Sequence, residues 1–261
     1  MPETYAHLTF GNKVLNNLES ELRETVGKNL SIYQIGLHGP DIFYYYKPYY
    51  PNRVTRIARR EHENEANLFF TKALSVIRCQ LSREKATAYI AGCITHFMLD
   101  SICHPYISDK VGWGLSHSDI EIEFERMLMI KNGLDPFHYK PTVHLTIKEE
   151  NAKLIAFFYD GITPGEIMES ISTMKACLNR FIDLSPSSIK RHPLTACIPL
   201  IGYIKGRIMS QYPIRQCTDS NAVLWDFYQQ TVQPTVIVIK NYFQLLDSDG
   251  ELSPVFNRNY V

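Results

Sequence analysis

Three ionisable residues stand four positions apart in the apolar stretch THFMLDSICHP, residues 95–105: His96, Asp100 and His104. A four-residue step along a helix turns a side chain by only about 40°, so the three groups share one face. Burying that many ionisable groups without a cation is costly. Imidazole and carboxylate donors together suit zinc or a related divalent ion, so we predict a metal site here. The alternatives are a buried, hydrogen-bonded polar stripe and a solvated helix face.

Five more candidate donors accompany this stretch in the first half of the sequence. His117 and Glu121 repeat the four-residue spacing. Asp41 follows a Gly-Pro turn, His62 lies in the first turn of a predicted helix, and His7 lies just before the first one. Eight donors are too many for one four-coordinate ion and are about right for two or three ions that share a bridging carboxylate. We therefore predict a polynuclear metal site.

Helical periodicity dominates the elements that must position these groups. A helix is expected to open at Ser82 and to stop at Pro105, and Ser116 is the expected N-cap of the next helix, which ends near Gly133. Only the stretch TVIVI, residues 235–239, is β-branched enough for a strand, and it lies inside a helical pattern. Later helices are expected at four places: residues 146–158, 164–184, 193–208 and 220–246.

We predict an all-α protein with one domain over residues 1–261, built as a multi-helix bundle around the metal site. Hydrophobic residues make up 45% of the chain, which is ordinary for a globular protein. Lys and Arg total 27, as do Asp and Glu, so no global charge attracts nucleic acid or anionic lipid. No stable nucleic-acid partner is expected.

Three features of the sequence favour a cytoplasmic location. The N-terminus has no basic segment followed by an apolar run, as a signal peptide has. The apolar stretches at 194–204 and 235–243 are too short to cross a bilayer. Six cysteines are scattered without paired or metal-binding spacing, which favours free thiols.

The candidate donors resemble those of the zinc-dependent phospholipase C family, whose all-helical fold is shared with single-strand-specific fungal nucleases. HFMLDSICH, residues 96–104, resembles the family's His-x-x-x-Asp segment with a second His, which follows at a slightly shorter spacing here. HSDIE, residues 117–121, is similar to its His-x-x-x-Glu, and Asp41, His62 and His7 follow the family's order. The resemblance covers residues 7 to 121, whereas residues 145–261 offer only a compatible helical pattern.

The resemblance implies a distribution of the donors among zinc ions. Four residues would hold the first ion: Asp41, His62, His96 and Asp100. Three would hold the second: His104, His117 and Glu121. His7 would help to hold a third, bridged to the first by Asp100. Two ions are therefore expected, and a third depends on the surroundings of His7.

Two positions depart from the family's pattern. In the secreted family members an N-terminal Trp binds the third zinc through its amine and carbonyl groups. This chain has no Trp there, and six residues precede His7. The sequence alone therefore does not establish a third zinc site. The family's Tyr that follows the metal-binding Asp helps to hold choline, and Ile42 occupies that position here, so choline selectivity is not expected.

The expected chemistry is phosphoester hydrolysis. Paired cations acidify a bridging water and clamp a phosphoryl oxygen, so that metal-bound hydroxide attacks a phosphodiester. Asp41 is the candidate general base. The expected substrate is a phospholipid or another phosphodiester, reached by peripheral contact with a membrane. The alternatives are a nuclease or phosphomonoesterase with the same metal site and, in another class, a non-catalytic, metal-stabilised lipid-binding module.

Other patterns admit more than one interpretation. The aromatic run FYYYKPYYP, residues 43–51, is typical of helix packing, with one or two rings reaching the substrate pocket. His38 is interpreted as a turn residue or a partner of the metal ligands, with metal binding by His38 itself as the alternative. Three other histidines are interpreted as structural: His138, His144 and His192. The nearest basic cluster that could bind a phosphoryl oxygen, or form a solvated face, is Arg53, Arg56, Arg59 and Arg60.

Overall fold

The computed structural model describes residues 4–80, 82–112, 114–183, 209 and 212–261. These residues form eleven α-helices and no β-strand, which confirms the all-α prediction. Three short 3-10 helices are Gly39–Tyr45, Arg215–Cys217 and Pro254–Asn257. The α-helices are α1 Thr4–Asn17, α2 Ser20–Lys28, α3 Leu30–Gly36, α4 Arg53–Glu63, α5 Ala66–Cys79, α6 Arg83–Lys110, α7 His117–Lys131, α8 Glu149–Ala156, α9 Pro164–Asp183, α10 Thr218–Gln230 and α11 Val232–Gln244.

Helix α6 is the centre of the fold. It contacts α1, α2, α3, α5, α7, α8, α10 and α11, so that most of its side chains are buried. A helix that is apolar on all sides is expected in such a position. His96 and Asp100 are fully buried within it, and His104 is 2% exposed. The sequence therefore places its three evenly spaced ionisable groups on the most enclosed helix among the described residues.

The length and composition of α6 also meet the criterion for crossing a membrane, with a mean hydropathy of 1.2 in its most apolar window. In this fold, however, 94% of that window is buried inside the protein. The side chains that would face lipid are already packed against neighbouring helices. The apolar character of α6 is accounted for by its place in the core.

Two glycines bring α3 into backbone contact with α6. A Cβ atom at Gly36 would overlap the carbonyl oxygen of Tyr89, and one at Gly92 would overlap the carbonyl oxygen of Tyr33. Side chains at either position would hold the two helices apart. The close crossing brings the 3-10 helix that follows α3 against α6, and this 3-10 helix carries Asp41.

The start of α7 is fixed by a capping box at Ser116, which the sequence predicts to be the N-cap of this helix. The Ser116 hydroxyl accepts a hydrogen bond from the Asp119 N–H at 3.2 Å, and the Asp119 carboxylate accepts one from the Ser116 N–H at 2.9 Å. Such reciprocal caps satisfy two backbone donors that a helix start leaves unpaired. The cap therefore orients the first two turns, which carry His117 and Glu121.

Two expected helix boundaries near the candidate donors were wrong. His7 lies inside α1, not before the first helix, and His62 lies in the last turn of α4, not the first turn of a helix. The cause at α4 is Asn52, whose side chain accepts a hydrogen bond from the Thr55 N–H at 3.0 Å. This cap starts the helix at Arg53, within the arginine-rich segment.

The helices elsewhere follow the predictions with two differences. Helix α6 continues past Pro105 to Lys110, because Tyr106 and Ile107 pack into the core and outweigh the missing backbone bond. The helix expected over 220–246 is two helices, α10 and α11, and the TVIVI stretch is helical within α11. Helices α8 and α9 match the expected ranges, and the helix expected at 193–208 lies outside the described residues.

Candidate metal centre

Four buried donors meet at the middle of α6, and we call them the first cluster: His7, Asp41, His96 and Asp100. One ligand atom from each lies within 4.8 Å of the others. The Nε2 of His7 is 3.1 Å from Oδ1 of Asp100, and the Nε2 of His96 is 3.3 Å from Oδ2 of the same carboxylate. Asp100 therefore presents one oxygen to each of two imidazoles, as a bridging carboxylate does.

His62 joins the first cluster through Asp41. The Nε2 of His62 is 2.9 Å from Oδ1 of Asp41, whose Oδ2 is 3.7 Å from Nε2 of His96. Asp41 therefore lies between two imidazoles, as Asp100 does. Four chain segments converge here: α1, the 3-10 helix after α3, α4 and α6.

Three donors form a second cluster one to two turns along α6: His104, His117 and Glu121. Nε2 of His117 is 2.9 Å from Oε1 of Glu121, and Nε2 of His104 is 3.7 Å from the same oxygen. His104 and Glu121 are buried, whereas His117 is partly exposed. The structure thus brings all eight predicted donors into two neighbouring groups along α6.

The donor atoms are arranged to bind a divalent metal ion and not to form hydrogen bonds with one another. Within the described part of the chain, the buried ligand atoms of Asp41, His62, His96, Asp100 and Nε2 of His104 form no hydrogen bond of normal geometry. Yet neighbouring donors lie 2.9–3.7 Å apart. Tetrahedral ligands about 2.0–2.1 Å from zinc are separated by about 3.3 Å. The pattern of close, unbonded donors is therefore that of a ligand shell.

Hydrogen bonds to backbone carbonyl groups outside the two clusters fix the orientation of two of the histidines. Nδ1 of His62 donates to the carbonyl oxygen of Ala58 at 2.7 Å, and Nδ1 of His104 donates to that of Tyr260 at 2.5 Å. Because a carbonyl accepts but does not donate, the proton stays on Nδ1 and the lone pair on Nε2. Contacts of this kind are usual behind metal-binding histidines.

Burial sets the protonation of several donors. It disfavours the imidazolium form and lowers the pKa of His96 to about 4, of His104 to about 3 and of His117 to about 4. Burial would raise the pKa of Asp100, but the imidazoles of His96, His104 and His7 outweigh it and hold that pKa well below its usual value. Neutral imidazoles and ionised carboxylates are the forms that bind metal ions.

A glycine makes room for the first cluster. Gly39 has a φ of +46°, and a Cβ atom there would overlap the His96 imidazole. We expect Gly39→Ala to weaken zinc binding at least tenfold and to cost about 1–2 kcal/mol from the backbone conformation alone. Zinc titration and thermal unfolding measure the two effects.

The matched control for this prediction is Gly165→Ala, because a Cβ atom at Gly165 meets nothing within 4 Å. It is expected to leave zinc binding unchanged. Equal zinc affinities for Gly39→Ala and the wild-type protein would contradict the proposed packing of Gly39 against His96.

One contact close to the metal centre was not predicted from the spacing of residues in the sequence. The Nε2 atoms of His38 and His144 are 2.8 Å apart, and the His38 ring is 6.4 Å from that of His7. His38 therefore lies behind the first cluster, and His144 joins it from the loop between α7 and α8. His138 forms an exposed pair with Asp135, and His192 lies outside the described residues.

The aromatic run divides into buried and exposed parts. Phe43 and Tyr45 are buried, as packing residues are, and Tyr44 lies against the metal centre with its ring 5.3 Å from His62. Tyr49 and Tyr50 are each 63% exposed. The four arginines of α4 are exposed; Arg53 pairs with Glu166 and Arg60 with Glu61.

The sequence profile of one protein family, described as "Zinc dependent phospholipase C", matches residues 6–175. The chain belongs to this family. No curated protein and no solved structure matches the chain. The match includes both clusters and continues into α9, well beyond the 7–121 segment in which the donor motifs were recognised.

Zinc dependence of the phospholipase C family agrees with the mixed imidazole and carboxylate donors of the two clusters. The family relationship indicates a hydrolase. His7, which the resemblance assigns to a third ion, lies within the first cluster, with its Nε2 3.1 Å from Oδ1 of Asp100. The number of ions stays a prediction.

Proposed function

We propose that this protein is a zinc-dependent phosphoester hydrolase that cleaves a phospholipid or another phosphodiester. The convergence of two buried donor clusters, in a chain of the phospholipase C family, is the observation that carries the proposal. Zinc, when bound, supplies an acidified water molecule and a clamp for phosphoryl oxygens. We propose two ions, one in each cluster, and a third that involves His7. The proposed ligands are the seven donors of the two clusters together with His62.

Asp41 is our candidate for the group that accepts a proton from the attacking water. Its Oδ2, 3.7 Å from His96, is held less closely than its Oδ1, 2.9 Å from His62. Burial raises the pKa of Asp41, but the imidazoles of His96 and His62 lower it further, so that the pKa lies below its usual value. The carboxylate is therefore ionised at neutral pH, which is the form that a general base needs.

Head-group choice is not expected to favour choline. Ile42, at the position where the resemblance places a choline-binding Tyr, is fully buried in the core and offers no surface to a head group. Tyr44, beside His62, is the aromatic residue nearest to the centre in this segment. We therefore expect similar rates for phospholipids with different head groups.

We also propose peripheral contact with a membrane, through the loop that joins the Asp41-bearing 3-10 helix to α4. This loop exposes Lys47, Tyr49 and Tyr50. Aromatic rings and basic side chains with apolar stems are favoured at the surface of a bilayer. A cytoplasmic location remains part of the proposal, which would limit the substrate to lipid that faces the cytoplasm or to a soluble phosphodiester.

A nuclease or phosphomonoesterase with the same metal centre is the second candidate. The exposed rings of Tyr49 and Tyr50 also favour stacking on unpaired bases, and Arg56 and Arg59 are exposed on the neighbouring helix α4. The balanced charge of the chain argues against a lasting complex with a long polyanion. A non-catalytic, metal-stabilised lipid-binding module is the candidate of another class.

The test compares three substrates under identical conditions. The zinc-loaded protein is expected to release phosphorylated head groups from phospholipid vesicles faster than nucleotides from single-stranded DNA or phosphate from p-nitrophenyl phosphate. Asp41→Asn is expected to lower the rate about 10³-fold, or about 4 kcal/mol, because it removes a charge that two imidazoles contact. Asp160→Asn, with a side chain that is 85% exposed, is the matched control.

The outcomes separate the candidates. Activity on DNA or on the monoester alone would support the second candidate. Zinc and vesicle binding without any product would support the lipid-binding module. Full activity of Asp41→Asn would remove Asp41 from the proposed centre.

A further inference from the structure

Residues 256–261, which we call the closing segment, cross the ends of two helices that border the metal centre. The Arg258 carbonyl accepts a hydrogen bond of 2.8 Å from the N–H of Ala66, at the start of α5. The N–H of Tyr260 donates one of 3.2 Å to the carbonyl oxygen of His62, at the end of α4. The closing segment is thus bonded to the backbone of a candidate zinc ligand.

The Tyr260 carbonyl makes the contact that concerns the second cluster. It lies 2.5 Å from Nδ1 of His104, which must donate because the carbonyl can only accept. The opposite nitrogen, Nε2, then carries the lone pair, and it is this atom that approaches Glu121 at 3.7 Å and lacks a hydrogen bond among the described residues. The carbonyl therefore selects the tautomer of His104 that is able to bind a metal ion at Nε2.

The Tyr260 ring contacts the first cluster. Its centroid is 5.1 Å from that of His62 and 5.6 Å from that of His96, and it packs edge-on against Phe97 at 5.1 Å. The residue is only 2% exposed. Its bulk therefore occupies space beside two candidate ligands that water would otherwise reach.

We propose that the closing segment positions the ligands of the metal centre, with Tyr260 as a positioning residue for both clusters. Its carbonyl holds His104 in the zinc-binding tautomer, and its ring shields His62 and His96. Tyr260 acts through the ligands and does not touch the substrate. The inference rests on the zinc centre of the proposed function but is independent of the substrate.

The first test needs no variant and no metal. Long-range ¹H–¹⁵N spectra of the zinc-free protein at pH 7.5 distinguish the two nitrogens of each neutral imidazole. We expect His104 to carry its proton on Nδ1. A proton on Nε2 in the folded, zinc-free chain would overturn the proposal.

The second test removes Tyr260, both its carbonyl and its ring. A chain that ends after Arg258 is expected to bind its most weakly held zinc ion at least tenfold less tightly, the usual cost of losing a contact behind a metal-binding histidine. Val261→Ser, which leaves the Tyr260 carbonyl in a peptide bond, is the control, since Val261 is 53% exposed. Unchanged zinc affinity in the shortened chain would overturn the proposal.

A third variant keeps the experiment decisive if the shortened chain fails to fold. Tyr260→Ala retains the carbonyl and loses only the ring, so the His104 tautomer is expected to persist. A change to the Nε2–H tautomer in Tyr260→Ala would overturn the role of the carbonyl. The expected tautomer and zinc loss in a protein that hydrolyses no phosphodiester would contradict the proposed function and leave this inference standing.

Discussion

Replacing Asp100 with asparagine is expected to empty the first cluster of zinc and to lower phosphodiester hydrolysis about 10⁴-fold, or about 5 kcal/mol of transition-state stabilisation. Its two oxygens lie 3.1 Å from His7 and 3.3 Å from His96, so one carboxylate serves two donors. The amide keeps the shape but loses the charge and turns one acceptor into a donor. Zinc per chain, measured by emission spectroscopy, and initial rates on vesicles test the expectation.

The control for Asp100→Asn lies on the same helix. Asp109 is exposed near the end of α6, and Asp109→Asn is expected to retain both zinc and activity. A full complement of zinc in Asp100→Asn would show that the first cluster does not depend on a bridging carboxylate. The assignment of metal ligands in that cluster would then fail.

The zinc-free protein is expected to lose stability steeply as the pH falls from about 6.5 to 4.5. The pKa of His96 is lowered to about 4 and that of His104 to about 3 because burial disfavours the imidazolium ion. The unfolded chain therefore takes up protons near pH 6.5, where the folded chain does not. The free energy of unfolding falls by about 1.4 kcal/mol per pH unit for each such histidine, of the order of 5 kcal/mol for the two over this range.

Urea unfolding in the presence of a chelator at pH 7.5, 6.5, 5.5 and 4.5 measures this dependence. His104→Gln removes one of the buried histidines with a lowered pKa, so its slope is expected to be shallower by about 1.4 kcal/mol per pH unit. His138→Gln removes an exposed histidine and is the control. A zinc-free protein whose stability is flat between pH 6.5 and 4.5 would contradict the burial of neutral imidazoles.

The local part of the candidate centre was predictable from sequence. Four-residue spacing places His96, Asp100 and His104 on one face of a helix, and the structure buries that face at the middle of α6. The same spacing identifies His117 and Glu121, which Ser116 helps to position. Helical periodicity was enough for the all-α class because strand-like segments are nearly absent from the sequence.

The long-range part depended on family resemblance, because spacing carries no information about which helices meet. Nothing in the local sequence of His7 or Asp41 indicates that both lie against α6. The contact between His38 and His144 joins segments that share no motif, so only the fold reveals it. Tertiary packing also decided the continuation of α6 through Pro105, which local propensity predicts as a stop.

The enclosure of Asp100 at the middle of the core helix has a consequence for how the protein is made. A nascent chain that collapses without its cations would trap charged groups where a globular protein normally has aliphatic ones. Ion supply during biosynthesis would then govern how much chain matures and how much is degraded. Because Asp100 is fully buried, an ion bound beside it should exchange only slowly with the solvent.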